Sequence, residues 1–450
     1  MGFINVKGTH DIFANEANEF TALELLMKQI ASVFAFKEVR PPVLEHSELF
    51  ARGVGESSDI VRKEMYTFDD KAGRSLTLRP EFTAGIIRLI VQNKLLNLNE
   101  LPLKTYYCGP VFRYDRPQLG RYRQFNQFGV ESVGSNNPLS DLEVIVLAYT
   151  ILSSIGLNDV TIQINTLGDE ESRNNYKKAL KDYFGKHIEN MCPDCKQRYE
   201  LNPLRILDCK VPEYQKIVSK APKMSKYLSD NAKKNFKYLL SVLDDLQIPY
   251  EVDDTLVRGL DYYSETVFEF KCKSSKGVDY GAIGGGGHYD KLVKEVGGPD
   301  LPGCGFSFGL ERIVSILKDD DKFPKDIYDE LDFYVMPLGM ASQKVALNIV
   351  NELRLNGFTT DMCFDDVKIA NMFKRAEKKN SKFAIILGEN EIKAKKVLIK
   401  NLKTQEQIEC DIDHLNEQAS ELLENHHHEC CCDGEDCDDP NCHCHDKKEN

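Results

Sequence analysis

The spacing of hydrophobic and polar positions divides the chain into segments of different period. Residues 16–36 carry Phe20, Leu23, Leu26, Met27, Ile30 and Phe34 at helical spacing, which predicts an amphipathic helix. A proline-interrupted strand follows over 38–45, and prolines inside a strand favour an edge or a boundary. Residues 76–83 (LTLRPEFT) read as extended, so Arg79, Glu81 and Thr83 share one face and Phe82 points the other way. Two strands, 106–114 and 124–131, flank a polar loop containing Pro117 and Gly120. Along the second, Phe125, Gln127 and Glu131 project from the same side.

From about 170 to 250 the pattern becomes lysine-rich and helical, as in an inserted helical module. Residues 256–270 then set Arg258, Tyr262 and Tyr263 on a tight turn before a strand. The glycines at 284–287 let backbone approach a ligand closely, although flexible loops use such runs too. Between 303 and 317, Phe306, Leu310, Ile313, Val314 and Leu317 form one helical stripe. Arg312 lies on the opposite side, where it meets either a ligand or water. After Asp332, strands at 331–337, near Phe358, at 383–387 and at 396–399 alternate with helices at 345–355 and 367–379. That alternation predicts a separate α/β domain.

The length of 450 residues allows two or three domains, each with its own core, and 42% hydrophobic with 29% charged residues is an ordinary water-soluble balance. The net charge of −13 argues against a diffuse nucleic-acid coat but leaves room for a local basic surface. Residues 426–450 hold eight acids and two lysines, a balance of −6, which leaves −7 for the rest. No apolar run is long enough to span a bilayer, and the N-terminus lacks the pattern of a signal peptide. The cytoplasm is the expected compartment. Of 14 cysteines, six fall in the last 25 residues, and the other eight show no disulfide-like spacing.

Four groups of residues carry candidate chemistry. Arg113, Arg116, Arg121 and Arg123 sit across the hairpin with no lysine between them, which favours planar, bidentate recognition of phosphate over a solvated charged hairpin only evenly. Glu81 and Thr83 side by side could bind an ammonium group, or be surface polars. Cys192-Pro-Asp-Cys195 with Cys209 falls short of the paired spacing of a zinc site, so structural thiols are the expectation. The tail is too poor in apolar residues to build a core, and a disordered segment is expected. Its Cys430, Cys431, Cys432, Cys437, Cys442 and Cys444 are candidate ligands for Zn²⁺ or Cu⁺.

Taken together, these segments resemble the histidyl-tRNA synthetases of class II. FRYDRPQLGRYRQFNQFGVE (112–131) looks like motif 2, LVRGLDYYSETVFEF (256–270) like the histidine-specific motif, and GFSFGLERI (305–313) like motif 3. KGTHDI (7–12), GESSDIVRKEMYTF (55–68), TLRPEFT (77–83) and NPLRILDCK (202–210) support them in the same order. The stretch 331–415 is similar to the anticodon-binding domain of that family. Seven ordered motifs are far more specific than any one. The Cys/His tail has no counterpart in the pattern, and the chain departs from it at His10, Phe82 and His288, where arginine, glycine and arginine are usual.

The resemblance implies an α+β fold: a class II antiparallel-sheet catalytic domain (1–169 and 251–325) with a helical insertion (170–250), an α/β anticodon-binding domain (330–420) and a tail (425–450). It implies a histidine–tRNA ligase that uses ATP and Mg²⁺, with L-histidine, tRNA(His) and a second copy of the chain as partners and no membrane. The homodimer seam is expected near Pro41–Glu45. Arg113 and Arg258 would act on the α-phosphate, and Phe125 and Arg312 would sandwich adenine. Glu81, Thr83 and Gln127 would hold the substrate ammonium, with Glu131, Tyr262, Tyr263 and Tyr289 around the imidazole. Gln118, Arg121 and Arg123 would meet the tRNA acceptor end. His288 implies a fixed charge lost beside the glycine run. A regulatory paralogue of ATP phosphoribosyltransferase is the nearest alternative, but such chains usually lack the histidine-specific motif. A metal-storage protein on a synthetase-like scaffold is a second, motivated by the tail alone.

Overall fold

A computed structural model describes residues 2–431 apart from Glu56, Leu98–Glu100, Leu119 and Asp329; side chains of Asn97, Asp326 and residues 426–431 are also left aside. The metal-ligand candidates of the tail therefore lie outside the described side chains. The last described helix is Leu415–Cys431. The chain forms two compact units, Met1–Ile327 and Tyr328–Asn450.

Among the described residues, eleven strands build the first unit: β1 (Lys37–Glu38), β2 (Leu44–His46), β3 (Tyr66–Asp69), β4 (Ser75–Leu78), β5 (Leu103–Phe112), β6 (Gln124–Val133), β7 (Thr161–Thr166), β8 (Tyr250–Val252), β9 (Ser264–Lys273), β10 (Asp279–Tyr289) and β11 (Gly303–Gly309). Eight of them form one sheet in the order β1-β5-β6-β11-β10-β9-β7-β8, and β2, β4 and β3 form a small second sheet. The central pairs are antiparallel, while the two outermost pairs, β1–β5 and β7–β8, are parallel.

Strand alternation gives the large sheet two faces of different character. Tyr106, Phe128, Val130, Phe268 and Phe270 pack into one core with the helices Asn15–Val33, Pro138–Ser154 and Leu310–Asp319. Their neighbours along the same strands, Tyr107, Gln127, Glu131, Val267 and Glu269, belong to the opposite face. The first face is sealed by helices; the second is left open over its middle and carries the candidate site. The helices between β7 and β8 bury a core of their own around Tyr176, Leu180, Phe184, Cys195 and Ile206.

Two expected strands come out differently. The stretch 38–45 is split into β1 and β2, because Pro41 and Pro42 cannot donate to a ladder. Their carbonyls instead accept from Arg79 Nη1 at 2.8 and 3.4 Å. The stretch 76–83 is a strand only to Leu78, and Thr83 opens the helix Thr83–Gln92. Pro80 ends the ladder there, and Glu81 serves the helix start, accepting from the backbone N–H groups of Thr83 (2.6 Å) and Ala84 (3.0 Å). Arg79 is thereby a buried structural group stacked over Phe82 at 3.8 Å, not a companion of Glu81 on a strand face.

The second unit has strands β12 (Leu331–Pro337), β13 (Thr360–Met362), β14 (Ser381–Leu387), β15 (Lys396–Asn401) and β16 (Gln407–Asp411), ordered β13-β12-β14-β15-β16. Pairs β12–β13 and β12–β14 are parallel; the last two are antiparallel. Phe333 and Val335 pack with Ile349 and Leu353 of the helix Met340–Leu355, while Tyr334 and Met336 pack with Met372 of the helix Ile369–Lys378. The sheet is covered on both faces, as its nearly unbroken apolar β12 requires.

Candidate functional site

One pocket on the open face gathers most of the residues singled out from sequence. It is lined by Glu81, Thr83, Arg113, Arg121, Phe125, Gln127, Glu131, Arg258, Tyr262, Tyr263, Tyr289 and Arg312. Gln118 and Arg123 are outside it. Gln118 lines an adjoining cleft with Arg121 and Arg312. Arg123 lies over the Tyr114 ring at 3.9 Å and donates to the Asp115 carbonyl.

One end of the pocket is acidic, aromatic and buried. Glu131, 1% exposed on β6, accepts from Thr83 Oγ1 at 2.7 Å and from Tyr289 Oη at 2.9 Å. Burial pushes its carboxyl up to about 8, against the pull of those two hydroxyls. Burial also raises Glu81, whose partners are the amides at the helix start. Tyr262 packs against Tyr263 and Tyr289, with ring centroids 4.5 and 5.7 Å away. The glycine of β11 facing Glu131 is required by space: a Cβ on Gly305 would come within 2.1 Å of Glu131 Oε2.

The other end is cationic. Arg113 is fixed through Nε to the Pro80 carbonyl at 2.8 Å and lies 5.3 Å from the Phe125 ring. Arg312 follows β11 at the start of its helix and donates Nε to the Gly120 carbonyl at 3.0 Å and Nη1 to the Ala282 carbonyl. Arg258 pairs with Glu269 of β9; burial acts against its charge, but Glu269 holds it fully protonated. A Cβ on Gly285 would sit 2.7 Å from Arg258 Nη1, so the glycine run of β10 makes the space this guanidinium occupies. Arg258 Nε and Glu311 Oε2 are buried without a partner among the described residues, donor and acceptor capacity left over in the pocket wall.

Sequence reading missed several wall residues. Phe82 lines the pocket although it was expected to face away, because it sits at a helix start and not on a strand. Tyr107 was covered by an aromatic strand pattern that gave no hint of its face. Glu269 stands eleven residues after Arg258 in one quoted motif, and the turn between them brings it back as an ion-pair partner. Asn202 and Arg205, from the NPLR stretch of the helical module, reach this loop: Asn202 donates to Asp261 Oδ1 at 3.0 Å, and Arg205 donates to the Arg258 carbonyl at 2.8 Å.

His288 is a correction of another kind. It is buried, with Nδ1 2.9 Å from Asp141 Oδ1 and Nε2 3.2 Å from Asp290 Oδ1. Burial opposes the charge, but Asp141 and then Asp290 outweigh it and push the imidazole up to about 10. The fixed charge expected to be lost at this position is therefore kept by a protonated histidine. A folded-state value above the ordinary 6.5 means that this stabilisation is complete below pH 6.5 and fades as pH rises toward about 10. His288→Gln, which leaves the buried Asp141 carboxylate without its cation while Asp290 keeps Arg173, is expected to lose about 3 kcal/mol. Denaturant unfolding at several pH values checks this: the variant should also show a flatter stability profile between neutral and alkaline pH.

Among the described residues, one group of three thiol, imidazole or carboxylate side chains converges to metal-ligand distance, and it lies in the helical module: Cys192, Cys195 and Cys209, with sulfurs within 4.8 Å of one another. The pocket itself has no such cage. A Mg²⁺ ion there fits only as one carried by substrate phosphate oxygens, the usual mode for that ion.

The chain matches two family models, "Histidyl-tRNA synthetase" over residues 8–313 and "Anticodon binding domain" over 332–422. It is 44% identical over 416 residues to the histidine–tRNA ligase of Bacillus subtilis, covering 92% of this chain and 97% of that one. It is also 44% identical over 411 residues to that of Thermosipho melanesiensis, covering 91% and 96%. The crystal structure of apo Staphylococcus aureus histidyl-tRNA synthetase superposes with a TM-score of 0.79 at 34% identity, over 93% of this chain and 99% of that one.

Proposed function

This chain belongs to the histidyl-tRNA synthetase family, and on that premise we propose how its pocket carries out histidine–tRNA ligation. The enzyme is an aminoacyl-tRNA ligase with a class II catalytic unit and an anticodon-binding domain. The reading of the pocket is carried by one observation: a buried acid–tyrosine end and an arginine-rich end share a single cavity.

In the first half-reaction the histidine carboxylate oxygen bonds to the α-phosphorus of ATP, the Pα–O–Pβ bond breaks, and pyrophosphate leaves with that electron pair. The nucleophile is already an anion, so positioning and charge neutralisation suffice. Arg113 binds the α-phosphate and the substrate carboxylate from one side, and Arg258 approaches that phosphate from the other. Phe125 stacks under adenine while the Arg312 guanidinium covers it. Mg²⁺ on the β- and γ-phosphate oxygens would supply further charge neutralisation when bound. Glu81, Thr83 and Gln127 hold the substrate ammonium. Glu131 and Tyr263 bond the two imidazole nitrogens, with Tyr262 and Tyr289 closing the aromatic wall; a competing side chain would leave these buried groups unpaired.

In the second step the terminal ribose hydroxyl of tRNA(His) attacks the histidyl carbonyl and AMP leaves. Gln118, Arg121 and Arg123 on the loop between β5 and β6 meet the acceptor end. Charging of a tRNA(His) transcript with labelled histidine tests the reading as a whole, and its absence in folded protein would overturn it. Arg121→Ala is expected to lower tRNA charging about tenfold through KM for tRNA and to spare histidine-dependent pyrophosphate exchange. Equal loss in both assays would reassign Arg121 to ATP. The second copy of the chain is assigned to the surface near Pro41–Glu45, where Leu44 is 45% exposed. This reading implies the cytoplasm, where tRNA is charged for translation.

A further inference from the structure

The three thiols of the helical module carry a second site. Cys192 caps the N-terminus of the helix Pro193–Leu201, Cys195 lies on its first turn, and Cys209 follows the short 3₁₀ turn Pro203–Asp208. Thirteen residues of chain separate Cys195 from Cys209, yet all three sulfurs lie within 4.8 Å of one another. Buried cysteines usually act as small apolar fillers, and fillers have no reason to aim their sulfurs at one point. A disulfide would use two of the three and strand the last. All are free thiols; Cys195 is 0% exposed, Cys209 5%, and Cys192 is half-buried.

We propose that Cys192, Cys195 and Cys209 form a thiolate site for a borderline divalent cation, Zn²⁺ above all, that staples the helical module. Three thiolates at Zn–S distances of about 2.3 Å form a tetrahedral face with edges of about 3.8 Å, within the spread of these sulfurs. Two of the thiolates stand at the first turn of a helix, where the backbone dipole favours negative charge.

The location gives the site a purpose. The ion closes the chain between residues 192 and 209, and that closed segment contains Asn202 and Arg205. Both side chains help hold the loop of Arg258, Asn202 through Asp261 and Arg205 through the Arg258 carbonyl. The same segment reaches the 55–64 stretch through Arg198 to Asp59 (2.8 Å) and Asp194 to Lys63 (2.7 Å). The metal thereby fixes the platform on which the arginine loop rests; this consequence for catalysis depends on the proposed role of Arg258, whereas the site itself does not.

The test must exclude the tail, whose cysteines and histidines are candidate metal ligands as well. A full-length chain with every tail cysteine and histidine changed to serine is purified without chelator, and its zinc is measured by plasma mass spectrometry. About one equivalent per chain is expected, with X-ray absorption showing three sulfur neighbours at about 2.3 Å. Cys192→Ser and Cys209→Ser on that background should each lose the ion. A tail-substituted chain that carries no stoichiometric metal after growth and dialysis in zinc would overturn the proposal, and this measurement does not depend on whether the variants fold. So would full retention in both serine variants, or a disulfide among the three by mass. None of these readouts involves aminoacylation, so a wrong assignment of Arg258 leaves them intact.

Discussion

Arg258→Ala is expected to lower kcat for histidine-dependent ATP–pyrophosphate exchange by about 10²–10³-fold, with little change in KM for histidine. The magnitude is that of removing one preorganised donor from a developing oxyanion, and a full cation at a buried site belongs at the upper end. Arg258 qualifies because it is held in place before substrate arrives: Glu269 keeps it charged, Arg205 holds its carbonyl, and Gly285 leaves it room. A cation that acts only as charge builds up on phosphorus affects kcat and spares ground-state binding. Truncation also strands Glu269, so a thermal melt must accompany the kinetics. Arg258→Lys offers the internal control, keeping the charge while losing the planar fork, and should recover only part of the loss. A large rise in KM for histidine with unchanged kcat would move Arg258 out of the phosphate site.

Glu131→Gln has the second largest expected effect, a fall of about 10²-fold or more in kcat/KM for histidine. In the free pocket this carboxyl is pushed up to about 8, so much of it is protonated at neutral pH. The ionised carboxylate accepts from a proton-bearing imidazole nitrogen more strongly than the protonated acid does, so kcat/KM for histidine should climb as pH rises toward about 8. The substrate's own groups also titrate in this region. The diagnostic feature is therefore the difference: the rising limb belonging to Glu131 should vanish in Glu131→Gln and persist in Arg258→Ala. A limb that survives in Glu131→Gln would assign it to the substrate instead.

Local alternation makes much of this fold legible in the sequence. The hairpin of β5 and β6 and the common face of Phe125, Gln127 and Glu131 follow from a period of two, which the ladder enforces. The strand–helix alternation of the second unit follows in the same way. Failures occur where a side chain takes over a backbone duty. Glu81 and Thr83 do come together, but at the start of a helix, because a carboxylate two residues ahead can satisfy the first amides better than a strand could. Glu269, Asn202 and Arg205 reach the site through turns that no periodicity encodes.

Cys209 and His288 show the same limit from the side of chemistry. The spacing of one CxxC and a lone cysteine understates a cluster whose third member is delivered by a 3₁₀ turn. The exchange of arginine for histidine looks like a lost charge until Asp141, from a helix 147 residues away in sequence, is seen to hold it. Charge state is a property of neighbours, and neighbours across such distances are supplied by the fold.

The most direct test of the central claim is ATP–pyrophosphate exchange on the purified wild-type chain, supplied in turn with each standard amino acid. Exchange with histidine alone, absent without it, is the predicted result, since in the proposed reading an imidazole pairs with the Glu131 end while the substrate carboxylate meets the arginines. No exchange from well-folded protein, or equal exchange with other amino acids, would contradict it.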